Sequence, residues 1–113
     1  MIRPANYTLN IIRRSHFDFG VRVRESKDGP AVDLSNLTVL AQMWDRSRTT
    51  LYGSFTIDSD LASEGWIILR LTADESISLP NNGAYDVKLI YPDNKEYYIL
   101  QGTFVVKEGY TDD

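Results

Sequence analysis

The stretch Tyr85–Val106, YDVKLIYPDNKEYYILQGTFVV, decides the fold. Its first seven residues alternate, with Tyr85, Val87, Leu89 and Tyr91 on one face and Asp86 and Lys88 on the other. A period of two, rich in aromatic and branched residues, is the pattern of a strand with one buried and one solvated face. The pattern breaks at YPDNKE. Pro92 cannot donate to a ladder, and Asp93 and Asn94 tolerate the positive φ that a tight hairpin turn needs. EYYILQGTFVV then resumes as a strand, with Tyr97 and Tyr98 on opposite faces and one of them exposed.

Working outward, most of the chain has the same grammar. NYTLNII places Tyr7, Leu9 and Ile11 on one face; FDFGVRV places Phe17, Phe19, Val21 and Val23 opposite Asp18, Gly20 and Arg22. TVLAQMWD sets Val39, Ala41 and Met43 against Leu40, Gln42 and Trp44. LYGSFTI reads as one strand with Leu51, Gly53, Phe55 and Ile57 on a face, and GWIILRL as a central strand covered on both sides. Polar turn-rich segments separate them at 25–36, 58–65 and 80–83. The only helical signal lies in TADESISLP, 72–80, where Thr72 and Glu75 form a capping box and Pro80 stops the turn. Seven or eight short strands at this spacing imply a sandwich or small barrel.

The totals bound the function. A chain of 113 residues makes one domain, 1–113, with a loose tail at about 109–113. There is no Cys, so disulfides and thiolate chemistry are excluded. The N-terminus lacks the apolar core of a signal peptide, and no apolar run is long enough to cross a bilayer, so synthesis in the cytoplasm and no membrane role are expected. Residues 1–50 carry eight Lys/Arg against five Asp/Glu, and residues 51–113 carry four against eleven, for a net charge of −4. Such asymmetry suits head-to-tail contact or docking on a charged partner. An acidic chain of pI near 4.9 lacks the basic footprint of a nucleic-acid binder.

Catalysis has little to work with. The single His, His16, lies two residues from Asp18, hence on the same face, and reads as a polar pair at a strand end. Asp58, Asp60 and Glu64 lack the third acid, the central Gly and the reach of a calcium loop, and read as a solvated acidic loop. No catalytic residue, metal site or cofactor is expected. Arg22 and Arg24, with Arg13 and Arg14 just before their strand, form either a solvated face or an electrostatic docking face. Tyr97, Tyr98, Trp44 and Trp66 are each candidates for core or for interface.

The order of these parts resembles a group of small phage and prophage virion proteins, β-sandwich modules of tail fibres and baseplates. The landmarks are Asp33-Leu34, the strand at Ala41-Gln42-Met43, Leu71-Thr72 before the helical turn, Gly83-x-Tyr85-Asp86, and Gly102 before the last strand, spanning about residues 17–111. The resemblance implies an all-β, single antiparallel sandwich of immunoglobulin-like type and a structural protein of the virion, in the tail, baseplate or fibre-attachment region. Capsid decoration or a connector is the alternative, and it transfers no catalytic residue. The expected partners are other virion proteins and copies of itself, contacted through Arg22, Arg24, Leu40, Trp44, Ile90 and Tyr98. A module recognising host-surface carbohydrate through Trp44, Tyr98 and Tyr110 is the reading from another class.

Overall fold

A computed structural model describes residues 5–25 and 29–109. The strands, in chain order, are β1 (Ala5–Asn6), β2 (Leu9–Ile12), β3 (Phe17–Arg22), β4 (Thr38–Trp44), β5 (Leu51–Ser54), β6 (Thr56–Asp58), β7 (Trp66–Leu71), β8 (Asn82–Ile90) and β9 (Glu96–Lys107). One helical turn, α1 (Ala73–Ile77), links β7 to β8. The larger sheet has the order β1-β9-β8-β4-β5, with β2 also on β9, and the smaller has the order β3-β7-β6. Two sheets face each other across one apolar core, as the alternation predicts. The tail at 109–113 falls, apart from Gly109, outside the described residues, and so does Tyr110.

Three details depart from the sequence reading. β1 and β2 pair with β9 in parallel, whereas every other strand pair among the described residues is antiparallel. Nearly the whole chain separates them from β9, which supplies the long crossover that a parallel pair needs. LYGSFTI is not one strand. It changes sheet at Phe55, whose amide donates to the Ala41 carbonyl at 2.9 Å while its ring packs beside Phe17 and Tyr85 in the core. GWIILRL is central in the small sheet, but Trp66, Ile68 and Arg70 lie half-buried on its outer face, with no second layer over them among the described residues. With β1 and β2 counted as pieces of one interrupted edge, the nine segments come to eight strands, the upper end of the expected count.

The helical turn forms as read, within narrower limits. The Thr72 hydroxyl accepts from the Glu75 amide at 3.1 Å, and the Glu75 carboxylate accepts from the Thr72 amide at 2.8 Å. Its far end is held by Arg13, whose guanidinium donates to the carbonyls of Ile77 and Leu79, to Asn81 Oδ1 and to Glu108. Those carbonyls have no intrahelical partner, so a cation there satisfies them and complements the helix end. Arg13 therefore does not belong to a docking face. It ties the β2–β3 corner to the turn between α1 and β8.

The edge strand is fastened at Tyr7. β1 stops at Asn6 and β2 begins at Leu9, and in the gap the Tyr7 amide donates to the Gln101 carbonyl at 3.1 Å. The buried Tyr85 hydroxyl donates to the Tyr7 carbonyl at 2.7 Å. Gly102, the register partner of Tyr85, makes room for this crossing: a Cβ there would collide with the Tyr7 carbonyl oxygen. The Tyr7 ring meets Phe19 of the other sheet at 5.1 Å, so one residue joins both layers. Burial pushes the Tyr85 phenol up from 10.0 to about 12, with Tyr7 adding to the shift.

Two outcomes follow for this contact. Tyr85→Phe should lower stability by about 1 kcal/mol through the orphaned Tyr7 carbonyl, and Gly102→Ala by about 1–3 kcal/mol through overpacking, both read from urea denaturation. Because the folded phenol titrates above its ordinary value, its contribution is complete below pH 10 and is lost as pH rises toward 12. The gap between wild type and Tyr85→Phe should thus be constant up to pH 10 and shrink above it; a gap that widens there would contradict the assignment.

Candidate docking face

The side chains that point away from the core on the larger sheet form rungs set by register. Leu40, Lys88 and Tyr98 make one rung; Gln42, Asp86 and Gln101 the next; Trp44, Ala84 and Thr103 a third. Thr38, Ile90 and Glu96 make the rung at the opposite end. The four apolar residues expected at an interface, Leu40, Trp44, Ile90 and Tyr98, therefore share one sheet face. Leu40 and Tyr98 are 44% and 47% exposed, more than a packed residue allows, while Trp44 and Ile90 are half-buried.

A β-bulge aims Tyr98 outward. Val87 pairs with Leu100, yet Lys88 pairs with Tyr98, so Ile99 is an extra residue on β9. Without it, Tyr98 would share a face with Leu100 and Phe104, both of which are buried. The bulge lets Tyr98 face out while Leu100, Phe104 and Val106 face in. Tyr97 turns inward and meets Tyr91 edge-on at 5.5 Å. Lys88 sits over the Tyr98 ring at 5.3 Å and pairs with Glu96 at 3.1 Å, and the Glu96 hydrogen bond raises the lysine pKa.

The β4–β5 loop contributes what the sequence did not disclose. The Asp45 carboxylate accepts from Ser47 and Thr49 hydroxyls and from the Thr49 and Thr50 amides, which lowers its pKa strongly. The loop curls, with Arg48 at a left-handed φ of 60°. Arg48 then reaches Asp86 at 2.8 Å and Arg46 reaches Asn82 at 3.1 Å. A trough of about 310 Å³ results, lined by Trp44, Tyr98, Gln42, Gln101, Arg48 and Asp86. It adjoins a second depression of about 330 Å³ that shares Arg48 and Gln101. The Asx-type Asp-x-Ser-x-Thr spacing at 45–49 was the available signal for this loop.

The remaining candidates lie elsewhere. Arg22 and Arg24 belong to the smaller sheet and its β3 end, so the structure does not bring them to this face. Arg22 lies over the Trp66 ring at 5.6 Å, and Trp66 itself covers Gly20. His16 and Asp18 border a cleft of about 180 Å³ with Arg70, Thr72 and Glu75. Asp18 is bound to Arg70 at 2.7 Å, Arg70 also holds Asp58 at 2.8 Å, and Glu75 is used in the capping box. Asp58, with its amide donor from Asp60 and its partner Arg70, is held below the usual carboxylate range. Among the described residues no group of three or more His, Cys, Asp or Glu is placed to hold a metal ion.

No protein-family model matches the chain, and no curated protein does. A solved structure is similar: a chain from the crystal structure of ICOS in complex with ICOS-L and an anti ICOS-L VNAR domain, with a TM-score of 0.62. The fold is immunoglobulin-like. The match covers 92% of this chain at 12% identity, so the likeness is one of fold alone, and this chain spans 56% of the length of that one.

If the outer face serves contact rather than folding, its exposed apolar residues should be dispensable for stability. Leu40→Ser and Tyr98→Ser should each stay within about 0.5 kcal/mol of wild type in urea denaturation. Leu89→Ala, one position away on the inner face, should cost about 2–5 kcal/mol. A loss of that size at Leu40 or Tyr98 would show the face to be structural.

Proposed function

We propose that this chain is a non-enzymatic structural protein of a bacteriophage virion, present in several copies in the tail, baseplate or fibre-attachment region, with capsid decoration as the alternative position. The observation that carries the assembly reading is the outer face of the larger sheet. It presents exposed Leu40 and Tyr98, half-buried Trp44 and Ile90, and paired charges of both signs at Arg48–Asp86 and Lys88–Glu96. Aromatic and apolar anchors among polar groups are the composition of an interface core with its rim. The resemblance of the Asp33-Leu34, Gly83-x-Tyr85-Asp86 and Gly102 landmarks to virion modules supports the virion as the place of that assembly. Gly83 and Gly102 are both positions where a Cβ would collide with packed neighbours, so these landmarks mark the close packing of the sandwich.

One observation favours a second reading, recognition of carbohydrate. Trp44 and Tyr98 line the same trough as Gln42, Gln101, Arg48 and Asp86, which combines ring faces with planar hydrogen-bonding groups. A glycan array separates this reading from protein docking, since only the carbohydrate module binds there and loses its signal with Trp44→Ala.

Virion membership is tested with an antibody against the chain on purified particles from the host that carries the gene. Gold labelling at the tail end is the expected result. Labelling spread over the head would move the protein to capsid decoration, and unlabelled particles would overturn the proposal.

A further inference from the structure

A groove of about 480 Å³ opens between the two sheets on the side where β3 faces β1 and β9. Its walls are Val21, Val23, Val32, Ile99 and Leu100, side chains that belong to the core or pack against it. Here the core reaches solvent. β3 is one edge of the smaller sheet, and among the described residues it pairs only with β7, while the chain just beyond it, at Val23 and Glu25, bonds to Val32 and Pro30. An edge with unused backbone donors and acceptors thus borders an apolar slot, which is the geometry that accepts one more extended strand.

The rim gives the slot a sign. Arg22 and Arg24 line it; the Arg22 guanidinium lies over the Trp66 ring and donates to the Glu64 carbonyl at 3.2 Å, and no acidic side chain pairs with either arginine among the described residues. Glu25 also stands at the rim, and the balance of the three is cationic. An extended segment with acidic residues beside a bulky apolar one fits both features. The chain carries such a segment at 110–113, Tyr110-Thr111-Asp112-Asp113, which lies outside the described residues.

A chain's own segment cannot reach its own groove. Leu100 lines the groove, whereas β9 runs on to Lys107, which pairs with Ile12. Seven residues of strand carry the backbone about 23 Å away. Beyond it, Gly109 packs against the Arg13 carbonyl at that far end. Four extended residues span at most about 14 Å.

We infer that the groove between β3 and β9 takes segment 110–113 of a second copy, with Tyr110 in the apolar slot and the acidic Asp112-Asp113 end at the cationic rim that Arg22 and Arg24 form. The contact joins unlike surfaces at opposite ends of the molecule, so it is heterologous and builds rings or filaments. This inference rests on the assembly reading above and names one partner for it.

The test is fluorescence anisotropy of a labelled peptide with the sequence of residues 107–113, KEGYTDD, titrated with the full chain. Saturable binding is expected. It should weaken at least tenfold with Arg22→Glu/Arg24→Glu, survive Arg22→Lys/Arg24→Lys, and weaken when both aspartates of the peptide are replaced by Asn. Leu40→Ser/Tyr98→Ser should leave it unchanged, because that face is not involved. Equal binding by the charge-reversed chain, or binding that appears only after residues 1–4 are deleted, would overturn the inference, the latter in favour of the N-terminal segment as occupant. Labelled particles without peptide binding would refute the groove alone; unlabelled particles with peptide binding would refute the virion assignment alone.

Discussion

The Tyr7 carbonyl, bound by the Tyr85 hydroxyl above the bare backbone of Gly102, is the contact on which the rest of the sandwich depends. It stands where the first strand breaks between β1 and β2, so the edge would otherwise leave a backbone acceptor without a partner beside the core. It also sets the depth at which the edge strand lies on β9. From there Leu9 and Ile11 fall opposite Phe104 and Val106 and close the core from that side. The Tyr7 ring then reaches Phe19, which couples the two sheets at the same point. A hydroxyl, a missing Cβ and a ring contact within one small region thus hold the N-terminal edge, the centre of the large sheet and the edge of the small one.

The Ile99 bulge adds the second constraint. By inserting one residue into β9 it reverses the facing of everything before it relative to everything after it. The inner half of the strand stays apolar while Tyr98 is delivered to the outside, beside Lys88 and Leu40. The Asp45-centred loop then brings Arg48 across the sheet to Asp86. The surface that results is a mixture of ring, aliphatic and paired charge. Such surfaces gain orientation from their charges and affinity from their apolar anchors.

Much of this was legible in the sequence, for identifiable reasons. Alternation fixed the inner faces of β4 and β8, because Ala41, Met43, Val87 and Leu89 obey a strict period of two within uninterrupted strands. The Thr72/Glu75 box was readable because capping is local. Asn94 takes the positive φ expected of the hairpin, at 68°. What could not be read depends on contacts distant in sequence. LYGSFTI obeys the period and still changes sheet, since only the opposing Ala41 and Tyr85 decide where Phe55 goes. The outward choice of Tyr98 over Tyr97 rests on a bulge, which carries no composition signal. Of the six residues expected at an interface, the four apolar ones meet on one face because their strands are adjacent in the sheet. Arg22 and Arg24 do not, because the strand that carries them belongs to the other sheet. Arg46 and Arg48 went unread because their role depends on a loop that curls over a strand far ahead in the chain.

On the proposed assembly, the outer face of the larger sheet is covered by a neighbouring protein in the particle. Hydroxyl-radical footprinting of the free chain and of assembled particles, read residue by residue by mass spectrometry, tests it most directly. Tyr98, Leu40 and Trp44 are predicted to lose reactivity in the particle, while Trp66, on the outer face of the other sheet, keeps its own. Equal reactivity of Tyr98 and Leu40 in both states would contradict the claim.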